Sequence, residues 1–240
     1  MIDVCLHAPT RETLMADLTS VGLAADGEVV AAGPDHHLWL GRVVATPGVV
    51  DADGVQVEPE TYLPGFYAAV RCGRTTARAL VATPWTSGMT TVDRPEGVPV
   101  LSGEAESLAA VSRAATARGA VALETFLAPY AREYGALERD SWATQLAEAR
   151  AYVADAAANT PWLTAAAASR GMDKGAFAAR ILANAAAWAA FQGAVTGRRL
   201  VWQDVVDGLV ADVAAGIMHE GRAKLEILAL DDPDFTGVAG

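Results

Sequence analysis

The stretch from Arg139 to Val213 constrains this chain most, because three helix boundaries can be read in it residue by residue. Asn159-Thr160-Pro161 reads as a start. Thr160 is an N-cap residue type, and Pro161 suits the first helical position, where a missing N–H loses no bond. Ser169-Arg170-Gly171 reads as the end of that short helix, since glycine takes the left-handed conformation that follows a last turn. Met172-Asp173 opens the next one: Asp173 caps it, and Met172 packs on Phe177 as a hydrophobic staple. Upstream, Trp142, Leu146, Tyr152 and Val153 fall at helical spacing after Asp140, in a helix expected to stop near Asp155. Downstream, Phe177, Ile181, Trp188 and Val195 share one face, with Leu182, Ala185 and Phe191 beside them. Such faces on short connections bury against one another, so residues 139–240 are expected to form an all-α helical bundle with an acidic C-terminal tail.

The chain before it reads differently. Ile2, Val4 and Leu6 alternate with Asp3, Cys5 and His7 as a strand, and Thr10 caps a helix with the stripe Leu14, Leu18 and Val21 that Gly22 ends. Leu38 to Val44 gives a second strand and Phe66 to Cys72 a further one. Asp53-Gly54 between Val49-Val50 and Val55-Gln56-Val57 suits a type I′ hairpin turn. Residues 1–73 are therefore expected to be a small α+β domain with a mixed or antiparallel sheet and a helix on one face. From Gly73 to Gly103, Pro84, Gly88, Pro95, Gly97, Pro99 and Gly103 punctuate too often for long elements, although Ala79 to Thr83 suits one more strand. Residues 74–103 read as an extended arm or linker. Its anchors to a neighbouring subunit would be Trp85 and Met89, since aromatic side chains dominate contact energy in such pockets. Residues 104–138 read as a helical connector that Ser102 caps, with Glu104 and Glu106 in its first turn. Gly119 is a stop or kink signal there, and Pro129 a bend.

Composition narrows the function classes. With two lysines and a formal net charge of −11, the chain lacks the clustered cations that nucleic-acid backbones require. No apolar run is long enough to span a membrane, and the opening Met-Ile-Asp-Val has no basic region followed by an apolar core. Synthesis in the cytosol without membrane insertion is the expectation.

The residues Trp142, Gln145, Glu148 to Tyr152, Thr160, Pro161, Leu163, Arg170, Gly171, Lys174, Ile181, Asn184 and Gly197 to Arg199 form an ordered pattern of caps and stripes. It resembles a helical module of bacteriophage and prophage tail proteins, the C-terminal module of tail-fibre and tail-fibre-assembly-type proteins. The resemblance covers roughly a third of the chain. It implies a non-enzymatic structural component of the virion, at the distal tail or fibre attachment, with other phage tail proteins as partners. It also implies a homo-oligomer, with a trimer favoured by analogy to tail fibres. Two alternatives stand beside it: a tail-fibre assembly chaperone that is not retained in the virion, and an enzyme acting on the host surface.

Candidate chemistry outside that pattern is sparse. His36 and His37 are strand neighbours that point to opposite faces, so they do not grip one metal, and His7 is the third candidate. Cys5 and Cys72 lie in two strands and are expected to stay reduced. Asp231, Asp232 and Asp234 lack the ligand spacing of a calcium loop and read as a solvated tail. Arg198 and Arg199, at an expected helix junction, are candidates for a carboxylate on a partner. Phosphate-loop, dinucleotide, zinc-protease and nucleophile-elbow motifs are absent, and His219-Glu220 has no second histidine at helical spacing. No catalytic, cofactor or metal residue is assigned.

Overall fold

The computed structural model describes all residues except Pro34, Asp51, Gly54, Val55, Thr86, Ser87, Gly97, Pro99, Val100, residues 102–106, Ala239 and Gly240. The α+β class is as the sequence implies. In order, the elements are β1 (Ile2–Ala8), α1 (Arg11–Ser20), β2 (Ala24–Ala25), β3 (Glu28–Val29), β4 (Ala32–Gly33), β5 (His36–Gly41), β6 (Val44–Thr46), β7 (Val49–Val50), β8 (Gln56–Glu58), β9 (Thr61–Tyr62), β10 (Phe66–Cys72), α2 (Arg74–Ala82) and β11 (Thr90–Val92). They are followed by α3 (Leu108–Glu133), α4 (Ala136–Ala154), α5 (Pro161–Arg170), α6 (Lys174–Ala214) and α7 (Glu220–Ala229). Two compact units divide the chain: Met1–Ala117 with Asp204–Asp231, and Arg118–Gln203 with Asp232–Gly240.

Unit 1 is built on a five-stranded antiparallel sheet in the order β11-β1-β10-β5-β4. Alternation decides its faces. Ile2, Val4, Leu6, Ala8, Ala68, Val70 and Cys72 are all 5% exposed or less, and the register pairs them side by side. On the opposite face Cys5, Tyr67 and Ala69 pack with Val43 and Val98 from the loops. α1 starts at Thr10, whose hydroxyl accepts the Thr13 N–H at 3.2 Å in a capping box. The hairpin strands β7 and β8 pair as read, while the Gly54 turn lies outside the described residues. The cap read at Ser102, with Glu104 and Glu106, also lies outside them.

The expected arm at 74–103 is corrected. Its first nine residues are helix α2, not extended chain or a strand at Ala79 to Thr83, because Thr76, Ala77 and Leu80 form a buried helical stripe. The free N–H of Thr76 is taken by Asp35 Oδ2 at 2.8 Å, an acceptor 41 residues upstream. The expected limit of the bundle at 139–240 is corrected too, since Asp204–Asp231 clusters with the sheet. α7 packs on α2 and β1. Arg74 Nη2 donates to Leu230 O at 2.6 Å and Arg78 Nε to Ala229 O at 3.1 Å. Two arginines one helical turn apart thus satisfy carbonyls that the end of α7 leaves without helical partners. Arg78 is also paired with Asp231.

Unit 2 packs α4 on α5, and Ala149, Leu163, Ala167, Phe177, Ala178 and Ile181 form one core cluster. The boundaries read in sequence hold. Pro161 is the first residue of α5, Gly171 closes it at φ +61°, and Asp173 Oδ1 accepts the Ala176 N–H at 2.8 Å. Met172 packs against the cluster that contains Phe177, as a staple does. Four local expectations are corrected. Thr160 stands at the cap position, but its hydroxyl caps nothing; Glu148 Oε2 accepts the Leu163 N–H instead, at 2.8 Å. Val153 is 63% exposed and leaves the stripe of α4. α3 continues through Gly119, where a stop was expected, and Pro129 lies inside it four residues from its end, where its missing N–H removes one bond. α6 runs 41 residues through Gly197, Arg198 and Arg199, with no junction there, since an interior glycine weakens a helix by only about 1 kcal/mol.

Candidate functional site

A pocket of about 170 Å³ lies beside β1 in unit 1, where Asp3, Cys5, Asp93, Arg94, His219 and Lys224 are among its lining residues. The sheet supplies Asp3 and Cys5 through β1, and the start of α7 supplies His219 and Lys224. Asp3 has Arg71 Nη1 at 3.5 Å. Burial pushes its carboxyl above the ordinary range, while Arg71 and Arg94 pull it down. His219 caps α7 by accepting the Gly221 N–H on Nδ1 at 3.1 Å, and its Nε2 faces Asp93 Oδ1 at 3.2 Å. That arrangement fixes one neutral tautomer, with the proton on Nε2. Lys224 is 9% exposed and is paired with Glu220 Oε1 at 2.5 Å. The charged groups that the pocket shares with α7 are therefore engaged with one another.

The thiol beside them is not activated. Burial pushes Cys5 up to about 11, against the weaker opposing pull of Arg94, and Cys72 up to about 12. Both cysteines are free, and their geometry forbids pairing. Cys72 stands opposite Ile2 in the register, three positions from Cys5, so the two side chains leave opposite faces of the sheet. A thiolate is the reactive form, so neither thiol should be alkylated by iodoacetamide in the native protein at about pH 8, and both should be alkylated after unfolding. Both values lie above the ordinary 9.0. Their contribution to stability is complete below about pH 9 and is lost as pH rises toward 11 to 12, so the denaturation midpoint should fall in that window. Native labelling at about pH 8 would contradict the burial of these thiols.

The other residues read from sequence are placed as follows. Met89 is 3% exposed, and Trp85 is partly buried with Arg222 over its ring at 4.8 Å. Both anchors therefore pack within unit 1, which corrects their reading as groups offered to a neighbour. Arg198 donates from Nη1 to Asp234 O at 3.1 Å and Thr236 O at 2.5 Å. Its partner is the chain's own C-terminal segment, in which Asp231, Asp232 and Asp234, read as solvated, are exposed. Pro233 is buried and Phe235 is 5% exposed. Arg199 follows on α6, partly buried. His7 and His36 face the carbonyls of Pro64 and Val30 at 3.1 and 3.0 Å. Among the described residues no three His, Cys, Asp or Glu groups are placed to hold a metal ion, and no helix is long and apolar enough to cross a membrane.

The module residues converge. Glu148 caps α5, the Lys174 ammonium lies 4.7 Å over the Tyr152 ring, and the Arg170 guanidinium lies 5.4 Å over Phe177. Trp142 meets Trp188 edge-on at 6.0 Å. Sequence reasoning missed Glu148 as a cap, Arg74 and Arg78 as the clamp on α7, and Phe235 as a core residue. For Phe235 a signal was present: one aromatic residue in a tail of acids and small residues. Comparison with known proteins finds no matching family model, no matching curated protein and no matching solved structure.

Proposed function

We propose that this chain is a non-enzymatic structural component of a bacteriophage tail, at the distal tail or fibre attachment, working through contacts with other tail proteins. The observation that carries the reading is the convergence within unit 2. Glu148, Tyr152, Pro161, Arg170, Gly171 and Lys174, which carry the resemblance to tail-fibre-type proteins, are the residues that cap and clamp α4, α5 and α6 onto one another. Six of the residues that carry the resemblance thus hold these helices together in this chain.

Two further observations favour a structural role. The pocket of unit 1 holds a protonated thiol and a histidine engaged on both nitrogens, a poor start for nucleophilic chemistry. Charge is also divided unevenly. Unit 1 has nine basic and twenty acidic residues and so the whole net charge, whereas unit 2 has nine of each. A neutral helical unit meets no net repulsion when packed against neighbours or further copies of itself. The chain is expected to be a homo-oligomer, a trimer by analogy with tail fibres, made in the host cytoplasm and carried in the virion.

Deleting the gene from a phage that encodes this chain should leave filled heads and incomplete or fibreless tails by negative-stain electron microscopy, with restoration by the gene in trans. Normal tails and normal plating in the deletion would refute the proposal. Native mass spectrometry of the isolated chain at micromolar concentration should show an oligomer.

A further inference from the structure

We infer that the groove between α3 and α6 in unit 2 is a peptide-recognition site, and that the chain's own segment Asp232–Val238 is its resident ligand, a latch that detaches and rebinds as one piece. The inference does not depend on the tail reading. The segment has no regular secondary structure, yet it is seated like a bound peptide. Phe235 enters a pocket of side chains from both helices, with its ring 5.2 Å from Phe126 and packed in the cluster of Phe191 and Val195. Arg198 reads the backbone on either side of that ring, donating to the carbonyls of Asp234 and Thr236. Arg118 Nε lies 3.3 Å from Asp232 Oδ1. An aromatic anchor, one guanidinium on two backbone carbonyls and a second guanidinium on a carboxylate make up a recognition set for an extended acidic peptide with a central aromatic residue.

The segment is also preorganised. Asp234 Oδ1 accepts the Thr236 N–H and its Oδ2 accepts the Thr236 hydroxyl, both at 2.8 Å, so the turn that presents Phe235 is made by the segment itself. Asp234, Thr236 and Gly237 are exposed, so the latch meets the groove through Phe235 and Val238 and leaves its other side in water. Along the same helices Leu123, Leu127, Gly193 and Thr196 line a hollow of about 400 Å³, where a Cβ on Gly193 would meet no atom within 4 Å.

The test uses the full chain and a fluorescent synthetic peptide of residues 231–238. The peptide should bind Phe235→Ala saturably and at least about tenfold more tightly than it binds wild type, whose own latch fills the groove. Adding Arg198→Ala to Phe235→Ala should weaken binding about tenfold. Absence of saturable binding to a Phe235→Ala chain with native far-ultraviolet circular dichroism, or equal binding to all three chains, overturns the inference. Should Phe235→Ala fail to fold, hydrogen exchange in Arg198→Ala decides. The Thr236 and Val238 amides should exchange at least about tenfold faster than in wild type while the Leu163 amide is unchanged. An unchanged latch, or a parallel rise at Leu163, shows that the segment is an inseparable part of the core.

Discussion

Phe191→Ala is expected to lower the unfolding free energy of unit 2 by about 3–5 kcal/mol, the usual loss for a buried aromatic side chain. Phe191 is 3% exposed and lies among four other aromatic residues. Tyr130 is 4.9 Å away, Trp188 5.3 Å and Phe126 6.1 Å between ring centroids, and Phe235 belongs to the same cluster. The substitution removes transfer energy and leaves a cavity that rigid rings on two long helices cannot collapse to fill. Trp188, which the sequence placed on the same apolar face as Phe177 and Val195, is only partly buried, so Trp188→Ala should cost less than Phe191→Ala. Urea denaturation of both variants, followed by circular dichroism, checks the order. A Phe191→Ala protein that unfolds within about 1 kcal/mol of wild type would place the core elsewhere.

Gly65→Ala should be comparably damaging, by about 2–5 kcal/mol, for two additive reasons. Gly65 has φ +80°, a left-handed conformation that strains any other residue. A Cβ there would also lie 2.3 Å from His7 Nε2 and 2.5 Å from the Ala8 carbonyl oxygen, and a backbone atom in a sheet yields little. The next residue, Phe66, pairs with Ala8 at the end of the seven-residue β1–β10 ladder, so the clash falls on the register of the two central strands. Gly171→Ala is the control. Its φ is +61°, but a Cβ would meet nothing within 4 Å, so only the backbone term of about 1 kcal/mol is expected. Equal losses at the two positions would show that crowding at Gly65 contributes nothing.

The contrast between residues read correctly and those misread follows distance along the chain. Pro161, Gly171 and Asp173 were legible because each acts within four residues of itself, and β10 because its alternation is local. The failures share the opposite property. α2 looked like an extended arm because its start is stabilised by Asp35, 41 residues away, and Glu148 was invisible as a cap because it serves Leu163 across a loop. Arg198 was legible as a group seeking an acceptor. That its acceptors would be carbonyls 36 and 38 residues later in the same chain was not, since backbone oxygens leave no mark in a sequence. Trp85 and Met89 were misassigned for a related reason. An aromatic residue in a stretch rich in proline and glycine looks unpartnered until α7 brings Arg222 over its ring.

Whether this chain is a part of the tail itself is tested most directly by the composition of the particle. Quantitative mass spectrometry of gradient-purified phage particles, with known head and tail proteins as internal standards, measures copies of this chain per virion. The tail reading predicts its peptides at a fixed small-integer ratio to another tail protein, retained after washing in high salt. Absence from infectious particles, with the chain abundant in the lysate that produced them, would contradict it and assign the protein to assembly instead.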